Sequence, residues 1–237
     1  MDELSILELE RATLRPSRQI TVGPISARIS GGFVGLLGPN GVGKTTLLRG
    51  VVGLSRVHSG SIHVDGQPVS YRRLPRGVGA VIEEPRFLDW LSCYENLRVA
   101  RLESSADGAS AALRNWGLEH CAQRPAGELS QGMRQRLGLA RVELGRPSTI
   151  LLDEPTNALD IVWQERLWEW IRANVASGST VLVASHHLEG LVAGGVERLI
   201  VLGAGAVIAD LPVDPAGRTP DGSDARAAAR EAILRNP

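Results

Sequence analysis

The most constraining feature of this sequence is a glycine-rich segment, GPNGVGKTT, which occupies Gly38 to Thr46. It lies between GGFVGLLG, an apolar run typical of a buried strand, and TTLLRGVVGL, which has the pattern of a helix. Glycines let the backbone curl so that successive N–H groups point at an anion, and the helix start adds its dipole. Because the segment matches G-x-x-x-x-G-K-[ST], it predicts a nucleotide phosphate loop. Lys44 would neutralise the β- and γ-phosphates, and the Thr45 hydroxyl would hold Mg²⁺.

Other apolar segments alternate with helical patterns and indicate an α/β fold. STILLD (Ser148 to Asp153) and STVLVAS (Ser179 to Ser185) read as buried strands on either side of the helical stretch IVWQERLWEWIRANVAS. This order is typical of a parallel sheet. SGSIHVDGQPV predicts a hairpin-like strand pair that turns at Asp65-Gly66.

The pattern becomes helical between Glu84 and Leu129, where LSCYENLRVARL and DGASAALRNWGL predict helices without a strong strand between them. We interpret this part as a helical insertion in the α/β core. After Leu202 the sequence predicts a short strand pair around GAGAVIADL, a linker rich in Pro, Gly and Asp, and a last helix, DARAAAREAILR. No internal repeat is evident, and this tail carries no recognisable chemistry.

Composition excludes several classes of protein. The 237 residues carry 26 basic and 26 acidic side chains, so no global charge attracts nucleic acid or an anionic bilayer, although a local patch remains open. The two cysteines, Cys93 and Cys121, are far apart in sequence and are expected to be reduced thiols of a cytosolic protein. The acidic start lacks the regions of a signal peptide, and no run approaches the ~18 apolar residues of a membrane span. Any membrane role is therefore expected to come through a partner.

The segment TILLDEP ends a buried strand in two adjacent carboxylates, Asp153 and Glu154. A carboxylate at the end of a parallel strand beside a phosphate loop is placed to hold Mg²⁺, usually through water, which suits Asp153. Glu154 could then polarise an attacking water as a general base. A charged strand end that merely faces solvent is the alternative.

A second candidate anion site lies in LSQGMRQRLGLARVEL, which predicts a helix starting at Ser130 with Gly132 in its first turn. A serine hydroxyl, an unshielded backbone and a helix N-terminus together suit a phosphate. Taken alone, this motif favours simple capping of the helix by Ser130.

With these motifs in order, the sequence resembles the ATP-binding cassette family, specifically the nucleotide-binding subunit of an ABC transporter. The resemblance covers about Leu9 to Asp210 and includes five motifs in the family's order. GPNGVGKTT is similar to its Walker A motif, LSQGM to its signature, TILLDEP to its Walker B motif, NALD to its D-loop, and the first histidine of SHH to its switch histidine. This resemblance implies an α/β P-loop NTPase fold with a RecA-like parallel-sheet core, an N-terminal antiparallel β subdomain and a helical insertion.

The resemblance also implies a mechanism shared between two subunits. Cassettes of this family associate head to tail and enclose two ATP molecules between the Walker A motif of one and the signature of the other. Ser130 and Gly132 would contact the γ-phosphate held by the partner, and Asp160 would lie in the dimer seam. His186 would contact the γ-phosphate and hold the attacking water, with Glu154 as base and Lys44 as the third catalytic residue.

The implied partners are a second cassette, identical or related, and a separate transmembrane permease, with no nucleic acid. The implied location is the cytoplasmic face of the cell membrane, reached only through the permease. We expect residues 1–210 to form the ATP-binding domain, with a helical subdomain at about 84–130, and residues 211–237 to form a tail. The phosphate-loop residues assigned to ATP are Gly38, Pro39, Asn40, Gly41, Val42, Gly43, Lys44, Thr45 and Thr46.

The sequence departs from the family pattern at two of its motifs. VGAVIEEP has Glu83 where the family usually has a glutamine that senses Mg²⁺ and touches the permease. A carboxylate can still meet the metal's water shell, so Glu83 joins Thr45 and Asp153 as a metal candidate, with a solvent-facing acidic loop as the alternative. The signature has Gln131 and Met133 where LSGGQ is commonest. Because the serine and the second glycine remain, function is expected to be retained.

The third departure concerns the adenine base. The family usually places an aromatic residue upstream of the phosphate loop to stack on adenine, but ERATLRPSRQI contains none. Arg15 or Arg18 could stack a guanidinium on the base, and a plain surface arginine is equally compatible with the sequence.

The IEEP and QGM variants and the following YENL are most similar to cassettes of exporters for antibiotics, lantibiotics and related hydrophobic compounds or peptides. The helical insertion around Phe87 to Arg101 would present a groove to the permease. Two alternatives stay open at this point. One is a non-transport cassette acting on ribosomes or DNA, which usually has two cassettes or a long coiled-coil insertion. The other is a regulatory cassette that binds ATP with little turnover.

Overall fold

The structure is a computed structural model that describes residues 6–17, 20–100 and 106–236. These residues form two β-sheets and seven α-helices. The strands are β1 (Ile6–Leu14), β2 (Val22–Ser30), β3 (Gly32–Leu37), β4 (Val57–Val64), β5 (Gln67–Pro68), β6 (Val78–Val81), β7 (Thr149–Asp153), β8 (Thr180–Ser185), β9 (Arg198–Gly203) and β10 (Ala206–Pro212). The helices are α1 (Lys44–Val51), α2 (Cys93–Ala100), α3 (Ala106–Asn115), α4 (Gln131–Leu144), α5 (Ile161–Ala176), α6 (Leu188–Ala193) and α7 (Ala225–Arg235).

The larger sheet is the predicted parallel core, with six strands in the order β10-β9-β3-β8-β7-β6. Strands β6, β7, β8, β3 and β9 are parallel, and β10 closes one edge in the antiparallel direction. Every residue of β7 and β8 is buried, which is why these strands are continuously apolar instead of alternating. In the register, Leu37 pairs with Ser185 and Asp153 with Ala184, so the carboxyl ends of β3, β7 and β8 meet at one edge.

The smaller sheet is antiparallel, in the order β2-β1-β4-β5, and it agrees with the expected N-terminal β subdomain. The predicted strand pair is present as β4 and β5, and it turns at Asp65-Gly66. Both turn residues have positive φ, 50° and 71°, as a tight hairpin turn requires. Apolar side chains of this sheet pack with α1 and one face of the parallel sheet in a single buried cluster.

The chain between β6 and β7 is helical, as the sequence predicts, and its described residues contain no extended strand. Helices α2, α3 and α4 pack around Trp116, whose side chain is 1% exposed. The two cysteines are both buried here as free thiols. Burial, together with the adjacent Cys121, raises the pKa of Cys93 to about 12, so Cys93 is a neutral packing residue.

The C-terminal part contains the predicted strand pair and last helix. Helix α7 packs against β9, β10 and α6 through Ala225 and Ala229, which are fully buried. Arg230 of α7 also forms an ion pair with Glu189 of α6. The predicted division of the chain at residue 210 stays a prediction.

Candidate functional site

The glycine-rich loop joins β3 to α1, where the sequence places it. Gly41 and Gly43 have φ of 81° and 114°, a region that L-residues with side chains rarely adopt. A Cβ at Gly43 would also lie 2.6 Å from a methyl carbon of Val22, so glycine is required there for both reasons. Gly43 caps α1 without a side-chain hydrogen bond, which leaves the first N–H groups of the helix for another acceptor.

Lys44 lies at the start of α1 and is 6% exposed. Its Nζ donates hydrogen bonds to the carbonyl oxygens of Gly38 at 2.7 Å and Pro39 at 3.2 Å. The same Nζ lies 3.6 Å from Oε1 of Glu154. The ammonium group is therefore held inside the curl of the loop, beside the carboxylate at the end of β7.

Thr45 and Asp153 are brought together although they are far apart in sequence. Thr45 Oγ1 donates to Asp153 Oδ2 at 2.6 Å. Asp153 is 6% exposed, and burial raises the pKa of its carboxyl group, an effect that the Thr45 hydrogen bond opposes. Asp153 Oδ1 is buried and has no hydrogen-bond donor among the described residues. A buried carboxylate oxygen without a donor, beside a threonine hydroxyl, fits a hard cation such as Mg²⁺ or one of its water ligands.

Glu154 is held by three groups from two segments, the end of β8 and the start of α1. Its Oε1 lies 2.8 Å from His186 Nδ1, its Oε2 accepts from Ser185 Oγ at 3.1 Å, and Lys44 completes the set. The backbone of Glu154 has φ of 44°, an unfavourable value for a residue with a side chain. Its N–H donates to Ala184 O of β8 at 2.8 Å, so the strained turn is fixed by the sheet. This turn directs the carboxylate toward the phosphate loop.

A cleft of 280 Å³ adjoins these groups and is lined by Thr45, Asp153 and Glu154, together with Glu83 and Gln131. Glu83 has φ of 57° and forms an ion pair with Arg49 at 2.6 Å. The structure thus places Glu83 next to the two metal candidates, but with its carboxylate already paired to an arginine.

Ser130 and Gly132 occupy the positions predicted for them at the start of α4. Ser130 is exposed, and its Oγ accepts from Met133 N at 3.3 Å, which caps the helix. A Cβ at Gly132 would lie 2.7 Å from Ala158 O, so this glycine permits close packing of the signature against the segment after β7. Neither residue lines the cleft around Asp153 and Glu154, so the structure does not bring Ser130 and Gly132 into their own chain's phosphate site.

Comparison with known proteins identifies the architecture. Residues 25–157, more than half of the chain, match the family described as ABC transporter. The chain belongs to the ABC transporter family. It is an ATP-binding and ATP-hydrolysing cassette of that family. Solved structures support the fold: an ATP-binding subunit of an ABC transporter has a TM-score of 0.80 at 24% identity, covering 97% of this chain and 96% of that one. A bacterial Atm1-family ABC exporter with ATP bound also has a TM-score of 0.80, at 22% identity, covering 99% of this chain and 42% of that one.

Relatives of this ABC cassette include both exporters and importers. The Streptococcus pyogenes lantibiotic transport ATP-binding protein SrtF is 39% identical over 65% of this chain and 67% of its own length. The uncharacterised ABC transporter ATP-binding protein YdbJ of Bacillus subtilis is 33% identical over 81% of this chain and 64% of its own length. The aliphatic sulfonates import protein SsuB 2 of Agrobacterium fabrum is 34% identical over 86% and 78%. The chain thus spans about two thirds of the length of SrtF and of YdbJ.

Some contacts around this ABC cassette's site were not predicted from its sequence, although Asp160 itself was a predicted residue. Asp160 N-caps α5 by accepting from Trp163 N at 3.1 Å, which positions the D-loop. The guanidinium of Arg136, on α4, lies 4.3 Å from the ring centroid of Trp163. The contact of Arg136 with Trp163 joins the signature helix α4 to the D-loop helix α5. Its only sequence signal was the unusual tryptophan content of IVWQERLWEW, which by itself indicates packing.

Two other expectations concern surroundings of the site. Arg15 is exposed, and Arg18, the other adenine candidate, lies outside the described residues. Among the helices that the structure describes, none is long and apolar enough to cross a membrane.

Asp153→Asn is expected to stabilise the nucleotide-free cassette at pH 7 and to lower Mg²⁺-dependent ATPase activity at least ~100-fold. Burial raises the pKa of Asp153, so its ionisation costs stability once the pH rises above the unfolded-state value. The asparagine variant lacks this cost, and its advantage should disappear as the pH falls toward 4. Thermal unfolding with EDTA, at several pH values, measures the difference. Asp107→Asn, at an exposed site, should show neither effect, and a less stable Asp153→Asn protein at pH 7 would contradict the argument.

Proposed function

We propose that this cassette hydrolyses Mg²⁺-ATP at the interface of two subunits and thereby drives a separate transmembrane permease. The main support is the position of Glu154, a carboxylate held by His186, Ser185 and Lys44 beside the phosphate loop. Its backbone has positive φ and is fixed by a hydrogen bond to β8, and strained turns of this kind cluster at active sites.

The ground-state contacts follow from the residues of the loop. Lys44 and the backbone N–H groups from Gly38 to Thr46, except Pro39, which has none, would bind the β- and γ-phosphates, because the start of α1 leaves its N–H groups unpaired. Thr45, Asp153 and Glu83 would hold Mg²⁺ and its waters, supported by the unpaired Oδ1 of Asp153. The metal would supply charge neutralisation between the β- and γ-phosphates.

Hydrolysis requires a water that attacks the γ-phosphorus and loses a proton. Glu154 would accept that proton, and His186, at 2.8 Å from Glu154, would orient the carboxylate and the water. The bond from the γ-phosphorus to the β–γ bridging oxygen breaks, so ADP and phosphate are the products. Lys44 would balance the negative charge that remains on the phosphates.

Ser130 and Gly132 would contribute to the site of the partner subunit. They lie at the N-terminus of α4, a 14-residue helix, where an unshielded backbone and a hydroxyl suit the γ-phosphate of a second ATP. Asp160, exposed at the start of α5, would lie in the same seam. ATP would then join the two cassettes, and its hydrolysis would release them.

The permease would dock in a groove of 810 Å³ between the parallel sheet and the helical part of the chain. Its lining is largely apolar and includes Val52, Ala80, Pro85 and Ala100. Glu83 lines both this groove and the nucleotide cleft. A segment of the permease bound in the groove would therefore contact Glu83 and respond to changes at the nucleotide. Because the cassette would reach the membrane by docking on the permease, we propose that it lies at the cytoplasmic face of the membrane.

We further infer that the transport is export of a hydrophobic compound or peptide. The similarity to a Nod factor export protein of Cupriavidus pinatubonensis, 34% identical over 78% of this chain, supports this direction, and the 39% identity to a lantibiotic transport protein supports a peptide substrate. A cell-based test would co-express the cassette with its permease and measure survival in a lantibiotic. Glu154→Gln should remove any protection.

A mixing experiment tests the shared site. Lys44→Ala destroys the Walker A half-site and Ser130→Arg destroys the signature half-site, so each variant alone should have almost no ATPase activity. In a 1:1 mixture, half of the dimers are mixed and each keeps one intact composite site, which should restore about a quarter of the parent rate if sites act independently and subunits exchange freely. Activity no higher than the sum of the two variants would contradict a homomeric shared site.

A further inference from the structure

The chain has no net charge, but its charges are unevenly distributed. Between Val52 and Ile82 it carries four arginines and one acidic residue, Asp65. The four arginines are Arg56, Arg72, Arg73 and Arg76. This segment spans the chain from the end of α1 to the end of β6, and it contains none of the residues proposed to bind ATP.

The fold gathers these arginines on one surface. Arg72 N donates to Gly53 O at 2.7 Å, which ties the loop before β6 to the loop after α1. The guanidinium groups of Arg56 and Arg72 lie 4.7 Å and 5.3 Å from the centroid of the Tyr71 ring. Arg73 and Arg76 follow on the same exposed loop.

The positive charge on this surface is not neutralised within residues 6–17, 20–100 and 106–236. None of the four arginines forms an ion pair with any residue in the described part of the chain. Asp65 lies at the hairpin turn, where its Oδ1 accepts from Ile6 N at 2.8 Å.

Large apolar side chains stand among the arginines. Leu54 is 62% exposed, Leu74 is 54% exposed and Tyr71 is 42% exposed. We define the arginine patch as these three residues with the four arginines. Water solvates the exposed arginines well, but it solvates the leucines poorly, and an exposed apolar patch with a polar rim is typical of an interaction surface.

We propose that the arginine patch binds the anionic lipid headgroups of the membrane surface directly. Arginines attract phosphate headgroups, leucines enter the upper acyl region, and tyrosine prefers the boundary between the two. A nucleic acid fits less well, because two guanidinium groups already lie against the aromatic ring on which a base would stack.

The position of the arginine patch agrees with this role. Leu54, Arg72 and Leu74 also line the edge of the 810 Å³ groove proposed for the permease. A permease seated in that groove would bring the arginine patch near the bilayer. Lipid binding by the isolated chain requires neither ATP nor the permease, so it can be measured separately from both.

Vesicle flotation of the purified full chain tests the proposal without nucleotide or permease. One set of vesicles contains phosphatidylcholine with about one third phosphatidylglycerol, and the other contains phosphatidylcholine alone. At about 0.1 M salt the chain should bind the anionic vesicles at least tenfold more strongly, and about 0.5 M salt should remove most of that difference.

Two triple variants separate the arginine patch from general charge. Arg72→Gln/Arg73→Gln/Arg76→Gln should lower binding to anionic vesicles at least tenfold, whereas Arg11→Gln/Arg146→Gln/Arg218→Gln removes the same charge at other exposed arginines and should change binding less than about twofold. Circular dichroism confirms that both variants are folded.

A third variant and a competition experiment address the mode of binding. Leu54→Ser/Leu74→Ser should weaken binding while its salt dependence remains. Equal binding to both vesicle types, equal loss in the two triple variants, or displacement from vesicles by polyglutamate or polyadenylate at equal charge concentration would each overturn the proposal. The last result would point to an acidic protein segment or a nucleic acid.

Discussion

Glu154→Gln is expected to lower the steady-state ATPase rate at least ~100-fold and to accumulate an ATP-bound dimer. The amide has nearly the size of the carboxylate, so it can still accept from Ser185 and contact His186. It cannot take a proton from water at neutral pH. Removal of the charge beside Lys44 also leaves more positive potential for the triphosphate, so ATP binding should not weaken.

Phosphate release measures the rate, and light scattering after size-exclusion chromatography with ATP and Mg²⁺ measures the dimer. Glu165→Gln, an exposed carboxylate on α5, is the matched control and should behave as the parent. Lys44→Ala should abolish both hydrolysis and the ATP-dependent dimer. If Glu154→Gln stayed monomeric with ATP and hydrolysed at the parent rate, the proposed base and the shared site would both be wrong.

Trp116→Ala is expected to destabilise the cassette by about 3–5 kcal/mol. Trp116 is 1% exposed and packs against the rings of Trp163 and Trp170, at centroid distances of 6.4 Å and 5.7 Å. Its Nε1 donates to Glu143 Oε2 at 2.6 Å. The alanine variant would leave a cavity where α3, α4 and α5 meet and would remove one of the donors to Glu143.

Trp90→Ala is the natural control, because Trp90 is 75% exposed and belongs to the same helical part of the chain. Its free energy of unfolding should stay within about 0.5 kcal/mol of the parent value. Urea denaturation followed by circular dichroism gives both values. A loss below about 1 kcal/mol for Trp116→Ala would show that the tryptophan cluster is not a stabilising contact between the helices.

The parallel core and most of the nucleotide site could be predicted because their signals are local. Continuous apolar runs gave β3, β7 and β8, and the residues that follow each strand must lie at the same sheet edge. For this reason the phosphate loop, Asp153 and Glu154 could be assigned to one site before any contact was known, whereas His186 was assigned to it through the resemblance to the ABC family. Ser130 as the cap of α4 was equally visible, since capping depends on neighbouring residues.

Contacts between distant segments could not be predicted. The ion pair of Glu83 with Arg49 joins residues 34 positions apart, and no periodicity reports such a pairing. The cysteines are another case, since their sequence spacing suggested no relationship and the fold places them side by side. The contact of Arg136 with Trp163 likewise joins residues that are distant in sequence, so the sequence pattern does not predict it.

The arginine patch shows most clearly which features follow from the sequence and which depend on the tertiary structure. The sequence by itself determined a phosphate loop, the carboxylates that accompany it and a chain without net charge. Only the tertiary structure decided that the arginines near residues 56 and 72 share one surface, because a hydrogen bond from Arg72 to Gly53 joins their two loops. A motif of neighbouring residues can be recognised in the sequence, whereas a surface depends on which distant segments the core packs together.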